Sequence, residues 1–210
     1  PNWSELCVMA FDHRSQFLGM VREARKSGVK EASESRIPAL KKLLVKAAEQ
    51  VEHSHQLQGH AGVLIDGSTY GADALASATG RGWWVGRPVE LPGSRPLRFD
   101  GTRSIGSALI HWPTEQVVKC LVHYHPDDAF ELRLEQEQKV LELWEATRES
   151  GNELLLEIIC PAAMTPAGTQ DAAVLRSIKR FYNIGVKPEW WKIAPMQVQG
   201  WADLQALVAE

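Results

Sequence analysis

The fold is decided by residues 116–161, which read QVVKCLVHYHPDDAFELRLEQEQKVLELWEATRESGNELLLEIICP. Two apolar runs, 116–125 and 152–161, enclose a long amphipathic segment that has acidic residues near its start and Gly151 after its end. This pattern predicts a strand, a helix over 126–151 and a second strand. A strand–helix–strand unit of this kind is typical of parallel strands joined by a crossover helix.

The same alternation extends along the chain in both directions. Further apolar runs predict strands at 6–12, 61–67, 82–90 and 189–195. Helical patterns lie at 17–28, 37–55 and 171–185, and a last helix begins near Trp201. Pro38 falls in the first turn of the second helix, where its missing N–H is harmless. Strands alternating with helices predict an α/β fold with a parallel sheet.

Composition limits the classes of partner. The chain has 23 Lys and Arg against 26 Asp and Glu, a formal charge of -3, which provides no basic footprint for nucleic acid or an anionic membrane. No apolar run is long enough to cross a bilayer. We therefore expect neither nucleic acid nor a membrane as a partner. The apolar stretches around Cys7, Cys120 and Cys160 predict buried free thiols, and hence a cytoplasmic protein.

The ends of the predicted strands favour one α/β architecture over another. After the first strand, residues 10–19 read AFDHRSQFLG, which lacks the glycines of a dinucleotide-binding fingerprint. Polar residues instead follow the carboxyl ends of the strands, which is typical of a (β/α)8 TIM barrel with its active site at that rim. Such a barrel needs eight strands and about 250 residues. With about six βα units visible, we expect residues 1–210 to form a single barrel domain that is incomplete at its C-terminus.

Side-chain alternation assigns the polar residues to a face. Apolar residues occupy alternate positions of the fourth, fifth and sixth strands and should face the covering helices. The opposite face then points into the barrel and carries Lys119, Glu157 and Lys192, with Glu157 between the two lysines. The same logic turns Asp12 and Asp66 inward. Because unpaired buried charges are costly, we expect these groups to be mutually paired.

These residues suit one kind of chemistry. An uncharged lysine amine can attack a ketone to form a Schiff base, whose iminium accepts the electron pair released by carbon–carbon cleavage. Burial and a nearby cation favour the uncharged amine, and Lys192, which follows Trp190 and Trp191, is expected to have both. Glu157 is placed to move the proton of a substrate hydroxyl, and Lys119 to hold a substrate oxygen. The pattern predicts a metal-independent aldolase.

Two alternatives remain open from the residues. A metal-dependent aldolase would leave both lysines idle and would take its ligands from His13, His123, His125, Asp12 and Asp66. A non-catalytic domain could use the same lysines and carboxylates to bind a sugar phosphate without turnover, and so regulate an attached sugar kinase.

Several short motifs, taken in order, resemble a known family. They are VMAFDHR at 8–14, VLIDGSTYG at 63–71, VKCLVHYHPDD at 118–128, LLLEIICP at 154–161 and KPEWWKIAP at 187–195. Together they resemble the class I aldolase family that includes tagatose-1,6-bisphosphate aldolase. They more closely resemble the aldolase-like (DUF2090) domain fused behind a sugar kinase in bacterial myo-inositol catabolism. The resemblance spans nearly the whole chain.

The resemblance implies roles for individual residues. The Schiff-base lysine would be Lys192, the acid/base carboxylate Glu157, the second active-site lysine Lys119 and the rim aspartate Asp12. Asp66 stands in a loop that departs from the family's DPEYG-like motif, because Gly67 and Ser68 replace Pro and Glu.

The implied reaction cleaves 6-phospho-5-dehydro-2-deoxy-D-gluconate to dihydroxyacetone phosphate and malonate semialdehyde, with no cofactor and no metal. A tagatose-bisphosphate-type or other keto-sugar phosphate is the alternative substrate. The substrate carboxylate needs a cation, for which Arg14, Arg87 and His125 are candidates, and Asp66 and His123 are further substrate-binding candidates. We also expect a sugar kinase domain in a longer parent chain, from which this one is excised, and assembly into a homo-oligomer.

Overall fold

A computed structural model describes residues 3 and 5–209. Its strands are β1 Cys7–Ala10, β2 Ala61–Leu64, β3 Trp84–Pro88, β4 Gln116–His123, β5 Leu154–Ile159 and β6 Trp190–Lys192. Its α-helices are α1 Ser15–Lys26, α2 Ile37–Ser54, α3 Ala72–Ala78, α4 Ile105–Leu109, α5 Phe130–Ser150, α6 Gln170–Asn183 and α7 Val198–Val208. Short 3-10 helices lie at Glu34–Arg36 and Ala162–Met164.

The chain forms two compact units. The first comprises residues up to Pro88 together with Glu115–Val117, and the second comprises Val89–Thr114 and the chain from Val118 onward. In the first unit, β1 pairs in parallel with β2, and β2 pairs in parallel with β3. Its apolar core gathers side chains from β2, β3, α2 and α3, among them Val63, Val85, Val45, Ala74 and Leu75.

In the second unit, β4 pairs in parallel with β5, and β5 pairs in parallel with β6. Alternate residues of β4 and β5 are fully or almost fully buried: Val118, Cys120, Val122, Leu154, Leu156 and Ile158. They form one apolar cluster with residues of α5 and α6, including Val140, Leu143, Val174, Ile178 and Phe181. The helix-facing side of these strands is therefore the one that the alternation predicts.

The α/β class and the parallel pairing of neighbouring strands are confirmed. The described residues contain six strands, each followed by helix, as a partial TIM-barrel-like fold requires. The closed barrel of eight strands stays a prediction. No helix in the described part of the chain is long and apolar enough to span a bilayer.

The helix after β4 starts later than predicted. It begins at Phe130 instead of 126, because residues 125–128 form a turn of their own. In that turn the backbone N–H of His125 donates to the Asp128 carboxylate at 3.0 Å, and the N–H of Asp127 donates to Nδ1 of His125 at 3.1 Å. Its end is as predicted: Gly151 caps the helix in the left-handed region, with φ of 77°.

Other differences concern short or exposed segments. The helices α3 and α4 were not predicted, because at 7 and 5 residues they are too short to show a helical period. The prediction of buried thiols is wrong for Cys7, since all four residues of β1 are exposed. Cys120 and Cys160 are buried and free, as predicted.

Candidate active site

The second unit brings together three of the predicted catalytic residues. Across the sheet, Leu121 of β4 lies opposite Glu157 of β5, and Glu157 lies opposite Lys192 of β6. Nζ of Lys192 lies 2.8 Å from Oε1 of Glu157. Nζ of Lys119 lies 3.1 Å from Oε2 of the same carboxylate. One glutamate therefore joins the two lysines, and it lies between them as the sequence predicts.

The two lysines differ in their access to solvent. The side chain of Lys192 is 39% exposed, whereas that of Lys119 is 4% exposed. Lys192 pairs with one carboxylate and can be reached by a substrate. Lys119 is enclosed, which favours a fixed electrostatic role over that of a nucleophile.

The tryptophans before Lys192 hold its strand in place. Trp191 packs against the apolar cluster, and its indole Nε1 donates to the hydroxyl of Tyr182 at 3.1 Å. The indole of Trp190 donates to Glu153 at 2.7 Å. Both indole groups are thus engaged with their own unit, and their contacts fix the position of Lys192 at the end of β6.

Glu90 completes the charged cluster, and sequence reasoning missed it. Its Oε1 accepts a hydrogen bond from Nζ of Lys119 at 3.2 Å, and its Oε2 accepts the backbone N–H of Leu121 at 3.1 Å. Two carboxyl groups and two amino groups therefore balance in this cluster, which is mostly buried. The available signal was an acidic residue at the carboxyl end of the predicted strand 82–90.

One oxygen of Glu157 stands out chemically. Oε2 is buried and accepts no hydrogen bond among the described residues, because the ion-pair contact with Lys119 does not have hydrogen-bond angles. Buried carboxylate oxygens normally accept hydrogen bonds, and leaving one unsatisfied is costly. This oxygen can accept a proton from a bound molecule, or a hydrogen bond from one of its hydroxyl groups.

His123 is the last residue of β4, and Arg95, from the segment after β3, binds beside it. Burial lowers the pKa of the His123 imidazole, the Arg95 guanidinium lowers that pKa further, and Glu157 raises it. His123 is therefore uncharged at neutral pH and lies within electrostatic range of both Arg95 and Glu157. Arg95, which the sequence did not suggest, donates from Nε to the carbonyl oxygen of His123 at 3.2 Å and pairs with Asp128.

The buried residues His125 and Cys120 have structural surroundings. Nδ1 of His125 accepts the N–H of Asp127, so this histidine serves the turn before α5, and its predicted substrate contact stays a prediction. Burial, followed by the charge of Glu90, raises the pKa of the Cys120 thiol well above its ordinary value. Cys120 faces the apolar core, where it acts as a small filler.

The first unit places Asp66 in a buried network. The Asp66 carboxylate forms an ion pair with the fully buried Lys41 and accepts the hydroxyl of Ser68. Sequence reasoning missed Lys41, although it lies four residues after Ile37 and four before Val45, on the buried stripe of α2. The Asp66 carboxylate is thus bound by side chains of its own unit, and its predicted substrate contact stays a prediction.

Two glycines explain the unusual loop after Asp66. A Cβ at Gly67 would collide with the guanidinium of Arg87, and a Cβ at Gly71 would collide with Asp66. Because residue 67 is glycine, the guanidinium of Arg87 can pack directly against this loop. Burial lowers the pKa of Arg87, and the neighbouring Asp66 opposes that shift.

The remaining predicted residues precede α1 in the same unit. The Asp12 side chain is buried, and Nδ1 of the more exposed His13 lies 4.0 Å from it. Arg14 is half-buried at the N-cap of α1. Among the described residues, no group of three or more His, Cys, Asp or Glu side chains is arranged to hold a metal ion. That observation gives no support to the metal-dependent alternative.

Comparison with known proteins identifies the family and nothing finer. No curated protein matches the chain. One family profile matches it over residues 1–210, and the DUF2090 part of the predicted resemblance is thereby confirmed. The chain belongs to the family described as "Uncharacterized protein conserved in bacteria (DUF2090)".

Proposed function

We propose that this chain is a Schiff-base, or class I, aldolase that cleaves a phosphorylated keto-sugar acid. The observation that carries the proposal is a solvent-reachable amine, Lys192, 2.8 Å from a buried carboxylate whose other oxygen contacts a second lysine. The cluster lies at or near the carboxyl ends of β5 and β6, where α/β barrel enzymes place their chemistry.

The first step needs an uncharged amine. Oε1 of Glu157 is within hydrogen-bond distance of Nζ of Lys192 and can take its proton. The amine then adds to the ketone carbon. Glu157 returns the proton to the former carbonyl oxygen, which leaves as water, and a protonated imine remains on Lys192.

The second step breaks the carbon–carbon bond. The glutamate, again as carboxylate, removes the proton of the hydroxyl group β to the imine. The hydroxyl carbon becomes an aldehyde, and the electron pair of the broken bond moves into the imine to form an enamine. Return of the proton to carbon and hydrolysis by water release the ketone fragment and regenerate the Lys192 amine.

Lys119 has a supporting role in this scheme. Glu90 holds its amino group at 3.2 Å, so it stays beside Glu157 while that carboxylate gains and loses protons. A fixed positive charge beside Glu157 complements the negative charge of this carboxylate and of a substrate oxygen bound next to it. Lys119 is also the group that would polarise a substrate oxygen.

The specific substrate that we propose is 6-phospho-5-dehydro-2-deoxy-D-gluconate, cleaved to dihydroxyacetone phosphate and malonate semialdehyde in myo-inositol catabolism. The motif resemblance supports this choice, and a tagatose-bisphosphate-type substrate is the alternative. An attached sugar kinase, a cytoplasmic location and a homo-oligomer belong to the same proposal.

Borohydride reduction with dihydroxyacetone phosphate, followed by peptide mass mapping, tests the proposal. We expect a covalent adduct on Lys192 and none in Lys192→Ala. Lys187→Ala, which removes an exposed lysine from the same segment, should keep the adduct. An adduct on Lys119 would exchange the roles of the two lysines, and no adduct on folded protein would overturn the proposal.

A second candidate is a domain that binds a sugar phosphate without turnover and regulates a kinase. The ion pair between Lys192 and Glu157 favours it, because a lysine held by a carboxylate is unreactive until it loses a proton. Calorimetric binding of dihydroxyacetone phosphate without turnover would support this candidate. Turnover that disappears in Lys192→Ala would support the aldolase.

A further inference from the structure

Arg95 is held rigidly at the carboxyl end of β4. Its Nε donates to the carbonyl oxygen of His123, the last residue of the strand, at 3.2 Å. Its Nη2 pairs with the buried carboxylate of Asp128 and lies 3.8 Å from Sδ of Met164 in the segment after β5. Contacts with three separate segments therefore fix the plane of the guanidinium.

One edge of this guanidinium stays open. Within the part of the chain that the structure describes, Nη1 of Arg95 makes no hydrogen bond, and the side chain is 31% exposed. A guanidinium binds carboxylates through its N–H groups with defined geometry, and it keeps its charge at any relevant pH. The open edge is therefore suited to an anionic group of a ligand.

The position of His123, whose carbonyl oxygen binds Arg95, follows from strand register. Glu157 and Lys192 form one row across the sheet, with Leu121 as its β4 member. His123 lies two residues further toward the carboxyl end of β4 on the same face, which corresponds to roughly 6–7 Å along the strand. Across the strands, β4 and β6 are roughly 10 Å apart, and the Lys192 side chain covers about half of that separation, because its Nζ contacts Glu157 of β5. Arg95 lowers the pKa of His123 and Glu157 raises it, so both groups lie near His123, in agreement with this placement.

We propose that Arg95, with His123 beside it, binds the carboxylate of the substrate fragment that leaves as the aldehyde. This inference rests on the proposed aldolase function and names the anion-recognition residue of the same site. In the proposed substrate, three carbons separate the ketone carbon from the carboxyl carbon. At about 1.5 Å per bond, an extended chain covers roughly 5 Å, and a hydrogen bond adds about 3 Å.

The same reach argues against the phosphate as the partner of Arg95. In this substrate the phosphate is attached to the carbon next to the ketone, so it lies near the imine and on the other side of it from the carboxylate. The carboxylate chain is therefore the part of the substrate that can extend across the sheet from Lys192 on β6 toward Arg95 at the end of β4. His123, which is uncharged, can add a hydrogen bond without competing for the anion's charge.

The condensation reaction isolates this contact. Dihydroxyacetone phosphate is combined either with malonate semialdehyde or with propionaldehyde, in which a methyl group replaces the carboxylate. Arg95→Gln should raise KM for malonate semialdehyde about 10- to 100-fold, as expected for loss of a charge-assisted hydrogen bond. It should leave KM for propionaldehyde unchanged. Arg98→Gln is the matched control, since Arg98 is half-exposed and pairs with Glu135.

Two further arms keep the test decisive. Because Arg95→Gln leaves the buried Asp128 unpaired, Arg95→Gln/Asp128→Asn removes both charges and should show the same change in KM. Calorimetric titration with malonate needs no turnover, and Arg95→Gln should weaken malonate binding by a similar factor, with inorganic phosphate as the competing anion.

The outcomes separate this inference from the proposed function. An unchanged preference for malonate semialdehyde in folded Arg95→Gln, or unchanged malonate affinity, overturns the role of Arg95. The role of Arg95 is also overturned if phosphate binding depends on Arg95 and malonate binding does not. In both cases the borohydride adduct on Lys192 would persist, whereas failure of the aldolase proposal would remove that adduct from the unmodified protein.

Discussion

Glu157 and Lys192 face each other across two parallel strands, and 2.8 Å separates Oε1 from Nζ. This relationship depends on strand register, because a slip of one residue would turn Lys192 to the opposite face. Trp191 resists such a slip, since its ring packs in the apolar cluster and its indole is bound by Tyr182. The core on one face of β6 therefore fixes the position of Lys192 on the other face.

Glu157→Gln should slow bond cleavage more than imine formation. Glutamine keeps the size of the side chain but cannot take a proton, so we expect kcat to fall about 10²- to 10⁴-fold. The borohydride adduct on Lys192 should form more slowly, because Glu157 also takes the proton of the amine, but it should still accumulate, since water can take that proton instead. Glu149→Gln, at an exposed position of α5, is the control. Turnover within a few-fold of that of the unmodified protein would argue against Glu157 as the base.

Lys119→Met should destabilise the protein, because two buried carboxylates, Glu90 and Glu157, lose their shared cation. Removal of one partner of a buried ion pair typically lowers the free energy of unfolding by about 3–5 kcal/mol. In Lys119→Met/Glu90→Gln the loss should be smaller than the sum of the two single losses. Urea denaturation of the four proteins gives the coupling energy. Simple additivity would show that Lys119 and Glu90 do not interact.

Asp66→Asn tests whether this residue serves stability or substrate. The carboxylate is enclosed by Lys41 and Ser68, so we expect a lower free energy of unfolding, again by about 3–5 kcal/mol. Lys41→Met should have a similar effect, and Lys41→Met/Asp66→Leu should recover much of the loss. A large rise in KM for Asp66→Asn at unchanged stability would instead confirm the predicted substrate contact.

His123 should make stability depend on pH. Its pKa is lowered in the folded state, mainly by burial, so the unfolded chain binds a proton more readily. The contribution of His123 to stability is therefore fully present above its ordinary pKa of about 6.5 and is lost as pH falls toward the lower, folded-state value.

Comparison with His123→Gln measures this contribution. As the pH is lowered from 7.5 to 5.5, the free energy of unfolding of the unmodified protein should fall relative to that of the variant. A difference that is constant across this range would show that the imidazole of His123 does not change its protonation on unfolding.

Sequence by itself determined the face on which the catalytic candidates lie. Side chains alternate along a strand with a period of two, so apolar residues at Cys120, Leu156 and Trp191 place Lys119, Glu157 and Lys192 on the opposite side. This is local information, carried by a few neighbouring residues in each strand. The alternation of strands and helices likewise predicted parallel pairing without any knowledge of contacts.

Tertiary structure alone decided which charges meet. Lys41 pairs with Asp66 across 25 residues of sequence, Lys119 with Glu90 across 29 and Arg95 with Asp128 across 33. No short-range pattern specifies such partners, because they come together only when separate elements pack within the same unit. A buried charge needs a counter-charge wherever the fold places one, and for that reason the partners of Glu90, Lys41 and Arg95 could not be assigned from the sequence.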